Sequence, residues 1–180
     1  RALRYQQRLD FKIENDTLSL LKQDIDMLGT VSGDRIRYEL ECVFSETEPE
    51  KVLREAARLG VLQKIHPALS ARGLSITFRR ARESSQPNLP GFAMYLVLLA
   101  NSLSIPETEQ LINYLHLSKA LARNLRDSIY LKGQLTKLEN PGVKPSEVYR
   151  LLSGHTQTAL AAITVSAPAA ARRQIERYLN

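Results

Sequence analysis

The sequence predicts an all-α protein, a multi-helix array with no significant sheet, on three observations. Apolar residues recur every three or four positions along most of the chain. Helix-starting residues (Ser, Thr, Asp, Pro) and helix-stopping ones (Gly, Pro) punctuate those runs. No convincing alternation of period two appears, nor an internal repeat, nor a low-complexity tract.

The elements follow in order. Residues 1–9 read as the end of a helix, with Arg1, Arg4 and Arg8 on one side and Ala2, Tyr5 and Leu9 on the adjacent one. Asp16 or Thr17 caps a second helix over 18–28, which Gly29 ends. Ser32 is placed at the N-cap of a third helix running to about residue 44, its hydroxyl accepting a backbone N–H. Asp34 suits the positive end of that helix, and Ile36, Leu40 and Val43 form its apolar face. Arg35 and Arg37 point elsewhere, each with a glutamate four residues on, Glu39 and Glu41. Pro49 opens a helix to residue 59, stopped by Gly60. A short helix or turn covers 61–65, and Pro67 forces a bend after His66.

Residues 74–83 form a helix with Arg79, Arg80 and Arg82 near its negative end. Residues 84–91, holding two prolines and a glycine, are the linker, which divides the chain into regions 1–86 and 87–180. Residues 92–103 are apolar nearly all round and read as a buried helix. Ser104 and Glu107 make a capping box for a helix to Tyr114. A long helix over 118–138 turns Leu121, Leu125 and Ile129 inward and carries Lys119, Arg123, Arg126, Tyr130 and Lys137 along another side. Asn140, Pro141 and Gly142 close it, and helices over 145–152, 156–165 and 168–179 follow. The last carries Arg172, Arg173 and Arg177.

Composition bounds the function. The 180 residues suffice for one domain or two small lobes with a real core. The longest apolar run, 92–100, is about half the ~20 residues a membrane helix needs. There is no signal-peptide pattern, so no membrane partner is expected. The one cysteine, Cys42, has no partner for an internal disulfide, and a reducing cytoplasm is the expected compartment. Net charge is +6, and its placement matters more than its size. Residues 1–118 carry fifteen Lys and Arg against fifteen acids. Residues 119–180 carry ten against four, which is the whole excess. A basic last third points to a polyanion; the bland alternative is a solubility charge.

Two segments carry a resemblance. Arg1, Arg4, Tyr5, Arg8, Leu9, Phe11, Ile13 and Thr17 are followed by Val31-Ser32-Gly33-Asp34-Arg35-Ile36-Arg37-Tyr38-Glu39-Leu40. In order and spacing this resembles the bacterial tRNA nucleotidyltransferases (CCA-adding enzymes) and poly(A) polymerases. There an arginine-rich RxxRFAxRLxFxI helix precedes VSGERIxxEL; here Tyr5 stands for Phe and Asp34 for Glu. The resemblance covers about the first quarter of the chain. It implies an elongated neck, body and tail that hold tRNA while a head domain, joined in cis, adds nucleotides. The family's Gly-Ser and Asp-x-Asp metal motif and its base-selecting Glu-Asp-x-x-Arg motif are not found, so the chain is expected to be an inactive fragment. The Mg²⁺ of the reaction is expected in the absent head, with no cofactor on this piece.

The candidate sites are weighed on that basis. Asp24-Ile25-Asp26 spells Asp-x-Asp, but residues two apart on a helix do not face one another. His66, His116 and His155 share no metal-ligand spacing, and no His-Asp dyad of phosphohydrolase type stands out. No nucleophile elbow or Walker motif is present. The basic stripe remains: Lys119, Arg123 and Arg126 with Tyr130 suit a phosphate backbone. By resemblance Arg1, Arg4, Arg35 and Arg37 join them as RNA contacts, or else brace neck against body through ion pairs. RNA, tRNA in particular, is the expected partner. Two rivals stand: a helical protein–protein adaptor with no RNA role, and a standalone enzyme with an unrecognised site. Oligomeric state and the choice between CCA and A addition stay open.

Overall fold

A computed structural model describes residues 1–85 and 90–179. Among them are thirteen α-helices, one 3₁₀ helix and no strand. In order these are α1 (Ala2–Leu9), α2 (Asn15–Gln23), the 3₁₀ helix (Ile25–Thr30), α3 (Gly33–Phe44), α4 (Pro49–Arg58), α5 (Val61–Ile65) and α6 (Leu74–Ser84). Then come α7 (Phe92–Ala100), α8 (Ile105–Tyr114), α9 (Lys119–Gly133), α10 (Leu135–Glu139), α11 (Pro145–Leu152), α12 (Gln157–Ser166) and α13 (Ala169–Leu179). The all-α reading holds.

Local chemistry sets most boundaries. Pro49 stands in the first turn of α4 and Pro145 in that of α11, where a missing N–H costs nothing. Gly60 takes φ +82° between α4 and α5, a left-handed turn that a side chain disfavours. Ser118 and Thr156 cap α9 and α12 by accepting from Leu121 N–H and Ala159 N–H.

Three expectations need correction. Ser32 is the N-cap of α3, but its side chain makes no capping bond. The helix expected over 18–28 begins at Asn15, ends at Gln23 and continues as 3₁₀. Packing explains the tightening: Ile25 lies against Gly60, and Asp26 pairs with Lys64 at 2.5 Å. The long helix over 118–138 breaks at Gln134, which ends α9 and starts α10. Lys137 therefore lies off the α9 stripe.

At α8 the capping box forms as expected. Glu107 accepts from Ser104 N–H at 2.7 Å and from Ser104 O–H at 2.8 Å. These bonds hold the Glu107 carboxyl below its ordinary value of 4.5. A lowered carboxyl adds stability that is present above its unfolded value and is lost as pH falls through its folded one. Melting temperature is therefore expected to fall on acidification below about pH 4.5, and less steeply in Glu107→Gln. Parallel acid limbs for the two proteins would contradict this.

Two apolar clusters make the interior. The first gathers α3 to α8, the start of α9, and Ala162 and Val165 of α12. Helix α7 runs through it with every residue from Met94 to Ala100 buried. Phe44, Phe78, Phe92 and Tyr95 nest together, the tightest pair being Phe78–Tyr95 at 4.6 Å. Such contacts add about 0.5–1.5 kcal/mol per pair beyond burial. The second cluster joins Leu131 and Leu138 to α11, α12 and α13. Helices α9 and α12 contribute to both. The expected boundary at 86/87 and the middle of the expected linker lie outside the described residues. The first cluster draws on both sides of them, since Phe44 and Phe78 pack on Phe92 and Tyr95.

Candidate nucleic-acid interface

The arginines of the first resembling segment meet α3 and the turn that follows it. Arg1 Nε donates to Glu39 Oε1. Arg8 donates twice to Glu46, at 2.6 and 3.2 Å. Arg4 is buried between these acids, 3.9 Å from Glu39 and 3.7 Å from Glu46, with its guanidinium 4.8 Å from the Tyr5 ring centre. Glu39 thus serves Arg1 and Arg4, not Arg35 as spacing suggested. For Arg1 and Arg4 the geometry supports bracing: their charges are met by carboxylates of α3 and of the turn after it.

A second brace ties the start of α3 to the end of α8. Gly33 sits so close to Tyr114 that a Cβ there would lie 1.6 Å from the Tyr114 carbonyl oxygen. Arg37 donates to the carbonyls of Leu115 and His116, both at 2.8 Å. A cation there satisfies two orphan acceptors at the negative end of α8. Asp34 pairs with Arg37 at 3.0 Å and with His116 Nδ1 at 2.9 Å, and the His116 bond holds its carboxyl low. Arg37 also reaches Glu41 at 3.7 Å. The conjunction of Gly33, Asp34 and Arg37 is therefore a joint between helices. Arg35 is different: it is exposed and has no carboxylate partner among the described residues.

The α9 stripe is partly engaged. Lys119, Arg123, Arg126 and Tyr130 follow one another at i, i+4, i+7 and i+11, a run of about 16 Å on one side. Arg126 is held by Glu109 through two bonds of 2.6 and 2.7 Å. This pairing raises the guanidinium and lowers the carboxyl from their ordinary values. Arg123 donates one bond to the Gly154 carbonyl at 3.0 Å and lies 3.8 Å from Asp127. Lys119 is exposed and has no ion partner among the described residues. Tyr130 is half-exposed, with His155 against it at 5.1 Å between ring centres.

Spacing missed two residues here. Asp127 accepts from Thr156 N–H at 2.8 Å and faces His155 Nδ1 at 3.3 Å. The fold therefore makes two His-Asp pairs, 34 with 116 and 127 with 155, where the sequence showed none. Their members are 82 and 28 positions apart, so only the folded chain joins them. Among the described residues no group of three His, Cys, Asp or Glu side chains stands ready for a metal ion. Asp26 of the Asp-x-Asp triplet is taken by Lys64. No helix of the described residues is long and apolar enough to cross a membrane.

Solved structures share this architecture. The Thermotoga maritima CCA-adding enzyme complexed with tRNA superposes with a TM-score of 0.77 over 99% of this chain, at 24% identity. A CCA-adding enzyme in its apo form I gives the same TM-score, coverage and identity. The fold is that of the helical region of CCA-adding enzymes. Residues 10–72 match the family described as the probable RNA and SrmB-binding site of polymerase A. An A-adding tRNA nucleotidyltransferase from Geobacter sulfurreducens is 39% identical over 71 residues, 38% of this chain and 8% of that protein. The chain spans under half of each of the two CCA-adding enzyme chains. Within the poly(A) polymerase match lie Gly33, Asp34, Arg35 and Arg37, with Glu39 and Glu46 that receive the α1 arginines. Arg1, Arg4 and the α9 stripe lie outside it.

Proposed function

We propose that this chain binds and positions RNA, tRNA in particular, as the non-catalytic helical part of a tRNA nucleotidyltransferase or poly(A) polymerase. The observation that carries this is the match of residues 10–72 to an RNA-binding family, on a fold shared along nearly the whole chain with CCA-adding enzymes. The parent reaction is transfer of CMP or AMP from a nucleoside triphosphate to an RNA 3′-hydroxyl, in the cytoplasm. Its Mg²⁺ and reacting groups belong to a head domain in cis, outside these residues.

The contact surface we assign is Lys119 and Tyr130 on α9, with Arg35 as a further cation. Lys119 and Arg35 have no carboxylate partner among the described residues, so a phosphate meets them without breaking an ion pair. Arg1, Arg4, Arg37, Arg123 and Arg126 serve the scaffold in this reading, because their guanidinium groups are already met by acids or carbonyls.

Phosphate contacts release counterions, so affinity falls with salt in proportion to their number. Binding of intact tRNA by this chain across a salt series is expected to show a steep slope. Lys119→Ala and Arg35→Ala are each expected to reduce that slope by about one, with melting temperature unchanged. Indifference to tRNA at low salt would reject the reading and favour the protein adaptor.

A further inference from the structure

A second aromatic feature lies in the basic last third, away from α9. Helices α11 and α13 enclose a cleft of about 310 Å³ lined by Pro145, Val148, Tyr149, Gln174, Arg177 and Tyr178. Helix α11 spends Val148, Leu151 and Leu152 on the core, which leaves Tyr149 64% exposed on the cleft side. Tyr178 packs against it edge to face, ring centres 5.7 Å apart at 63°. Even so, Tyr149 keeps most of its ring surface open to solvent. Arg177 borders the cleft, and Arg173 stands one helical turn before it. Neither has an ion partner among the described residues. Among the described residues no carboxylate lines the cleft.

We propose that this cleft takes an unpaired nucleobase of an RNA strand, stacked on Tyr149, with the adjoining phosphates at Arg177 and Arg173. The proposal rests on the RNA-binding reading and adds a site to it. The chemistry of the lining selects the occupant. An open aromatic face accepts any base, and the Gln174 amide offers one donor and one acceptor to a base edge. Unpaired guanidinium groups beside that face suit a phosphate rather than a cationic or purely apolar peptide. The surrounding excess of cations over acids in residues 119–180 favours the same polyanion.

The chain has no tryptophan, so Tyr149→Trp installs a lone indole reporter. Short oligo-A is expected to quench that fluorescence, and an abasic ribose-phosphate strand of equal length is not. Tyr149→Ala is expected to weaken oligo-A binding about ten-fold, while Tyr149→Phe binds like the parent. Arg177→Ala is expected to lower the salt slope by about one. If RNA binds with its salt dependence intact but Tyr149→Ala changes nothing and the indole is not quenched, the site is refuted and the RNA reading survives. If poly-glutamate quenches as well as oligo-A, the cleft reads anions without a base and the proposal fails. If neither tRNA nor oligo-A binds, both readings fall.

Discussion

Gly33→Ala is expected to lower the melting temperature by about 10 °C, the largest effect of any single methyl group added to this chain. The new Cβ would lie 1.6 Å from the Tyr114 carbonyl oxygen and 2.7 Å from its carbonyl carbon. Both are backbone atoms at the end of α8, so no side chain can swing aside. The helices must separate, and Asp34 and Arg37 move with α3. That stretches the bonds to His116 and to the Leu115 and His116 carbonyls. Overpacking of this kind costs about 3 kcal/mol, and about 2–4 °C accompanies each kcal/mol in a chain of this size. Gly29→Ala is the control, because a Cβ there meets nothing within 4 Å. Equal melting temperatures for the two variants would refute the joint.

Glu50→Ala is expected to cost about 1–3 kcal/mol, because it leaves the part-buried Arg82 guanidinium without its counter-charge. Glu50 is buried, and Arg82 holds it with two bonds of 2.6 and 2.8 Å. That pairing raises the Arg82 guanidinium from its ordinary value. The group also faces Tyr95, whose hydroxyl is pushed up by burial and drawn back down by Arg82. Without the carboxylate, Arg82 stays partly shielded from water and loses its counter-charge. Replacing both partners, Glu50→Met with Arg82→Met, is expected to recover most of the loss, since the unpaired charge causes it. Chemical denaturation of the single and double variants measures this. A double variant as unstable as Glu50→Ala would show that the pair itself, not the stranded charge, carries the stability.

The helical architecture was legible because its signals are local. Pro49, Gly60, the Ser104–Glu107 box and the apolar run from Met94 to Ala100 each act within a few residues, and each appears where the sequence placed it. The failures have the opposite character. Ile25 and Asp26 leave the α-helical path because α5 and Gly60 lie against them. Glu39 looked like the partner of Arg35 by i, i+4 spacing, yet Arg1 and Arg4 reach it from 38 and 35 positions away.

The candidate site divides along the same line. Arg35 and Lys119 were named from sequence and are exposed without carboxylate partners among the described residues. Arg4 and Arg37 carry the same resemblance, but each also has a partner remote in sequence, Glu46 for Arg4 and the Leu115 carbonyl for Arg37. Tyr149 and Tyr178 went unremarked because nothing local joins positions 29 apart on different helices.

Sequence alone determined the all-α class, most helix ends, the basic last third and the two segments that resemble RNA-handling enzymes. Periodicity, capping and charge counts are properties of neighbouring residues, and they survive folding. Tertiary structure alone decided which arginines remain available to a phosphate. Availability depends on which acids and carbonyls the packed helices bring within reach, and an ion pair made across 38 residues or a carbonyl bond made across 78 leaves no trace in local spacing.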